Sequence, residues 1–200
     1  YIPRKVLSFG QFCEAFTEGF KAMVPAILIL TLAWTLSGVC SEEYLNIGGF
    51  VSSLVNGESM VAMLMPAIFF LIALGLAFAT GTSWGTFGIL IPIAVAVFGD
   101  SPNTMLVMTV AACLSGAVCG DHISPISDTT HLASAGAPCN HKDHVSTTTP
   151  YALLIAAFSF IGFLIGGIAG NGFVALVVGA ALLIAAVTVL TMKYGRQQAK

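Results

Sequence analysis

The longest stretches of this sequence carry no charge. Residues 22–41, 59–99, 101–120 and 145–192 contain no Asp, Glu, Lys or Arg. About 20 apolar residues span a bilayer as a helix, and in lipid a helix is one of the few structures that satisfies its own backbone. The runs that begin at Ser59 and Val145 each have room for two helical segments, and the second has a turn signal at Gly170-Asn171-Gly172. Only 8% of the residues are charged, against roughly 25% in soluble domains. The expected fold is all-α, a polytopic transmembrane helical bundle.

The net charge of -2 says nothing about partners, but its distribution does. Arg4, Lys5 and Lys21 precede the first span, Lys142 lies in a middle loop, and Lys193, Arg196 and Lys200 follow the last span. The other middle loop, 41–58, has Glu42, Glu43 and Glu58 but no Lys or Arg. Basic residues favour the cytoplasmic side. Both ends and the 138–148 loop are therefore expected in the cytoplasm, and the 41–58 loop outside. The chain starts with Tyr1 and has no signal-peptide pattern, so it is expected to be a piece of a longer protein.

Three segments are expected along the chain. Residues 1–21 hold Phe9, Phe12, Phe16 and Phe20 at helical spacing. They read either as an amphipathic helix at the membrane surface or as a linker helix leading into the first span. Residues 22–192 form the transmembrane domain, and 193–200 a cytoplasmic tail. Within the domain, 59–98 is two apolar arms around a polar centre, Thr80-Gly81-Thr82-Ser83-Trp84-Gly85-Thr86. Either both arms cross fully, or they form a re-entrant hairpin whose tip lies inside the protein. The glycines around hydroxyls favour the hairpin, since non-helical backbone at membrane depth needs protein or a water-filled cavity around it. Residues 103–119 form the next helix, which Gly120 and Pro125 are expected to interrupt before it resumes over 127–137. Residues 138–148 are expected as a polar loop, and 150–169 and 172–192 as the last two spans. Gly162, Gly166 and Gly170 make a small-residue stripe of the kind that lets membrane helices pack closely.

The chemistry concentrates in Gly120-Asp121-His122-Ile123-Ser124-Pro125-Ile126-Ser127-Asp128-Thr129-Thr130. Acids at membrane depth are costly and by default mark ion or proton pathways. Asp121 and Asp128 are the candidate cation and proton sites. An unwound stretch frees carbonyls and hydroxyls, and Ser124, Ser127, Thr129 and Thr130 add neutral oxygens of the kind hard cations prefer. Thr82, Ser83 and Thr86 of the other polar centre would complete the shell if the two segments meet. Burial favours the neutral form of a carboxyl group, and a neighbouring carboxylate does so further. A sodium ion favours the ionised form and expels the proton, which is sufficient for antiport. The plainer reading places both aspartates in a cytoplasmic loop, with Asp128 capping a helix.

Other chemistries have little support. The five cysteines show no metal-type spacing, and no disulfide is expected. Cys139, His141 and His144, with His131 upstream, superficially suggest zinc, but their order is not a standard zinc spacing. His122 would either tune Asp121 or be a hydrogen-bonded bystander. There is no nucleophile elbow, phosphate-binding loop or HExxH, so no enzyme and no cofactor are expected, nor any metal beyond the transported cation.

The segments 79–89 and 115–130, and the Asp143-His144-Val145 stretch leading into Pro150-Tyr151-Ala152-Leu153, resemble the signature segments of the NhaC-type sodium/proton antiporter family. The resemblance covers most of residues 22–192 and is to the C-terminal half of such proteins, which implies a missing N-terminal half. It also implies the architecture of the ion transporter superfamily: inverted repeats with paired hairpins and broken helices. The expected function is secondary active exchange of sodium for protons in a prokaryotic inner membrane, with the lipid bilayer as surroundings. The alternative is sodium- or proton-coupled exchange of organic anions such as malate and lactate, and a membrane-embedded metalloenzyme is a remote one. Nucleic acid is not an expected partner, and assembly into a homo-oligomer is left open.

Overall fold

The computed structural model describes residues 4, 8–39, 43–46, 49–50, 60–98, 103–137 and 139–198. Every regular element among them is a helix: α1 (Phe9–Val39), α2 (Met60–Thr80), α3 (Ser83–Phe98), α4 (Thr104–Ile123), α5 (Asp128–Gly136), α6 (His141–Ala169) and α7 (Gly172–Gln198). Among the described residues α2, α4, α6 and most of α7 are long and apolar enough to cross a membrane. The expected 41–58 connection lies mostly outside the described residues.

Ser8 starts α1 with a reciprocal cap. Its Oγ accepts from the Gln11 N–H at 3.3 Å, and Gln11 Oε1 accepts from the Ser8 N–H at 2.9 Å. The helix then runs without interruption past Lys21 to Val39. The phenylalanine-bearing segment is thus continuous with the first apolar run.

The centre of the bundle is the contact between α2 and α4. It repeats every four residues on both helices. A Cβ at Gly116 would sit on the Phe70 carbonyl oxygen, and a Cβ at Gly120 on that of Leu74. One step further, the Ser124 hydroxyl donates to the Phe78 carbonyl at 2.8 Å. Ala73, Ala77, Ala112, Cys113 and Ala117 are completely buried in this seam. Small residues let membrane helices approach until backbone meets backbone. Helix α3 closes over the seam with Leu90, Ala94 and Val97, and α6 joins from another side, where Phe163 meets Phe70 at a ring separation of 5.6 Å. Gly162 and Gly166 of α6 take up α7 at Ala175. Gly170 has a different task. It adopts a left-handed φ of 63° and closes α6, while the Asn171 side chain caps α7 at the Phe173 N–H.

Two sequence expectations are corrected. Gly120 does not interrupt its helix. Helix α4 continues to Ile123, and the glycine is there for the close approach to α2. The polar stretch after Pro138 is not a loop either, because α6 already begins at His141. Asn140 caps it at the Lys142 N–H, and the hydroxyls of Thr147 and Thr149 bond carbonyls four residues back, so a polar sequence pays little for being helical.

Candidate functional site

The helix breaks over residues 124–127, between α4 and α5. Ser124 and Ser127 are extended, and Pro125 between them has no N–H to continue the ladder. The loose ends are nearly all tied by side chains of the same segment. Thr130 Oγ1 donates to the Ser124 carbonyl at 3.1 Å, and the Ser124 N–H donates to the Asp121 carbonyl. Ser127 is the N-cap of α5 and accepts from the Thr129 N–H at 3.1 Å. Capping therefore belongs to Ser127, and Asp128 stands next to it in the first turn, where the helix dipole favours a negative charge.

Asp121 lies on the last turn of α4 and is only 5% exposed. Both oxygens of its carboxylate are met from beyond the break. Ser127 Oγ donates to Oδ1 at 2.6 Å, and Thr129 Oγ1 donates to Oδ2 at 3.0 Å. The two donors, one on each oxygen, cradle the carboxyl group, since hydrogen bonds to a buried carboxylate offset its desolvation. Each hydroxyl can reverse its hydrogen to accept from a carboxyl O–H, or turn a lone pair to a cation.

Sequence reasoning gathered nine residues here, and the structure sorts them. Asp121, Ser124, Ser127, Thr129 and Thr130 form one hydrogen-bonded cluster. Asp128 is exposed, and its side chain forms no hydrogen bond or ion pair among the described residues. The hairpin tip does meet the break: Gly81, with φ of 68°, packs on the Ile126 carbonyl, and the Phe78 carbonyl takes the Ser124 hydroxyl. Its own hydroxyls stay local. Thr82 Oγ1 accepts from the Gly85 N–H, and the buried Thr86 donates to the Thr82 carbonyl at 3.0 Å. Ser83 is partly buried at the start of α3.

His122 bonds its own helix. Its Nδ1 reaches the Val118 carbonyl one turn back at 2.8 Å, not Asp121. Among the described residues no three His, Cys, Asp or Glu side chains converge as a metal site would require. Instead the rings of His131 and His141 stack at 3.8 Å, and His141 Nε2 lies 2.8 Å from the Pro125 carbonyl oxygen. That long-range bond is the feature sequence reasoning missed. The one signal for it was an imidazole in the first turn after a polar linker, which looks the same as a solvated residue.

A buried carboxylate on a broken transmembrane helix is the arrangement expected of a cation exchanger. The family model described as the Na+/H+ antiporter family matches residues 3–168. The chain belongs to that family. Its several helices that are long and apolar enough to cross a membrane fit a multi-pass member of that family. It is 43% identical over 166 residues to an uncharacterized protein of Haemophilus influenzae, covering 83% of this chain and 31% of that protein. It is 32% identical over 169 residues to the malate-2H(+)/Na(+)-lactate antiporter of Bacillus subtilis, covering 80% and 34%. An uncharacterized Na(+)/H(+) antiporter of Haemophilus influenzae is 32% identical over 151 residues, covering 72% and 31%. No solved structure matches significantly. This antiporter-family chain spans about a third of the length of these relatives.

Proposed function

We propose that this chain carries the ion-exchange site of a sodium/proton antiporter, and that Asp121 is the group on which the two ions compete. The observation that carries the reading is the cradle: a buried carboxylate at a helix break with a hydroxyl on each oxygen. With Asp121 protonated, one of the two hydroxyls accepts from the carboxyl O–H. A sodium ion arriving at the break displaces that proton and leaves an Asp121 carboxylate bound to sodium. Thr129, Ser127 and the carbonyls of the break supply further oxygens. The proton leaves to water on the open side, and the reverse exchange on the other side completes the cycle. Since a hard cation takes about six oxygens, Asp128 at the start of α5 and Thr82, Ser83 and Thr86 at the tip are proposed as the remaining contributors, together with groups from the rest of the protein.

The same reading assigns α2 and α3 to a re-entrant hairpin. Helix α3 has 16 residues, about 24 Å at ~1.5 Å each, short of a hydrocarbon core of about 30 Å. The protein is placed in a prokaryotic inner membrane with both ends of this segment cytoplasmic, and an N-terminal half is inferred as the partner that closes the site. Cysteines placed at Glu43 and Lys142 should label from opposite sides of the membrane.

Coupled exchange of organic anions is the second reading, favoured by the similarity to the malate-2H(+)/Na(+)-lactate antiporter across most of this chain. The N-termini of α3 and α5 would then face the substrate carboxylate. Transport by the full-length protein in vesicles decides between the two. Proton movement driven by sodium alone supports the first reading. Movement that requires malate or lactate together with sodium supports the second. Neither movement under any combination would defeat both.

A further inference from the structure

We propose that His141 is a positioning residue for the ion site, acting as a clamp on the backbone of the helix break. The inference rests on the cation-exchange reading for its purpose but on separate observations for its geometry. In the break, Ser124 and Thr130 satisfy most backbone groups from within the segment. The carbonyl of Pro125 is different. It takes its hydrogen bond from His141 Nε2, 16 residues away on α6, at 2.8 Å. A carbonyl can only accept, so Nε2 carries the hydrogen. Without this ring the break would have to shift to find the Pro125 carbonyl another protein partner, or leave it to water.

The ring is itself held in place. Its Nδ1 lies 3.2 Å from Ser134 Oγ, on α5, whose one hydrogen is shared between that nitrogen and the His131 carbonyl, 2.9 Å away. One face is covered by the His131 ring, nearly parallel to it at 6°. His141 therefore touches the break through one nitrogen, and α5 through the other nitrogen and a face. Ser127 and Thr129, the two residues that hold the Asp121 carboxylate, lie between those points in the chain. Fixing Pro125 and α5 relative to each other fixes where the two hydroxyls point. No atom of His141 needs to touch the ion for this.

The test uses the full-length protein with His141→Ala, His141→Gln and, as a control on the same helix, His144→Ala. A glutamine amide can place an N–H close to the Nε2 position, so it should restore the clamp. Hydrogen–deuterium exchange in lipid nanodiscs reads the clamp without any transport. Peptides covering 124–130 should exchange at least about tenfold faster in His141→Ala, and as in the wild type in His141→Gln and His144→Ala. Sodium-driven proton movement in vesicles at one fixed pH reads the consequence. The sodium concentration for half-maximal rate should rise about fivefold or more in His141→Ala, with a smaller change in maximal rate, and recover in His141→Gln. Unchanged exchange over 124–130 in His141→Ala would overturn the clamp. Faster exchange with unaltered sodium dependence would overturn the positioning role while leaving the antiport reading in place. A wild type that moves no protons with sodium would defeat the antiport reading alone, and the exchange experiment would still decide whether His141 holds the break.

Discussion

The chain has two polar interruptions, and they use similar side chains in opposite ways. At the hairpin tip, Thr80, Thr82 and Thr86 each bond backbone groups within four residues, closing the turn on itself. At the helix break, Ser124, Ser127, Thr129 and Thr130 reach six or more residues along the chain, to Asp121, to each other and to Phe78. The difference is the carboxylate. A buried acid must be solvated by something, and among the described residues the side chains that donate to it lie past the proline. Hydroxyls in an apolar sequence thus mark an interruption, but those recruited by a buried acid reach across it.

Substitutions can break that contrast. The largest effect is expected at Asp121→Asn, which keeps the shape and removes the titratable group. Sodium-driven proton movement should fall to background in vesicles while the protein still folds. Next comes the seam that holds the break against α2. Gly120→Val places a side chain on the Leu74 carbonyl, and overpacking of this kind costs typically ~1–3 kcal/mol and sometimes more. The thermal midpoint in detergent should drop clearly, with activity falling in step. Ser127→Ala and Thr129→Val should then raise the sodium requirement without a comparable loss of stability, since each removes one donor to Asp121. The smallest functional effect is expected at the tip. Thr86→Val removes a local bond to the Thr82 carbonyl, worth about 1 kcal/mol of stability, and one outlying ligand oxygen, so the sodium requirement should rise by less than in Ser127→Ala. A tip substitution that shifted the sodium requirement more than Ser127→Ala would dissolve the contrast and make the tip a principal part of the coordination shell.

The spans were legible because uncharged runs of this length have one outcome, and the aspartate segment because acids are rare inside them. What stayed hidden was the purpose of individual small and polar residues. Gly120 reads as a breaker, yet Pro125 breaks the helix and Gly120 packs it. The His141-Lys142-Asp143 stretch reads as a loop, since nothing local announces that Asn140 will cap a helix there. Asp121 and Asp128 look equivalent in sequence, seven apart, but one falls before the break and is buried and the other falls after it and is exposed. That asymmetry depends on where the chain bends, and the bend depends on α2 and α6, far away in sequence.

The central claim is that a proton and a sodium ion compete for the Asp121 carboxylate. Proton release on sodium binding tests it most directly. The purified full-length protein would be titrated with sodium chloride in weak buffer and the released protons measured, with Asp121→Asn and Asp128→Asn alongside. The account predicts saturable proton release from the wild type and none from Asp121→Asn. Release of the same number of protons by Asp121→Asn as by the wild type would contradict it.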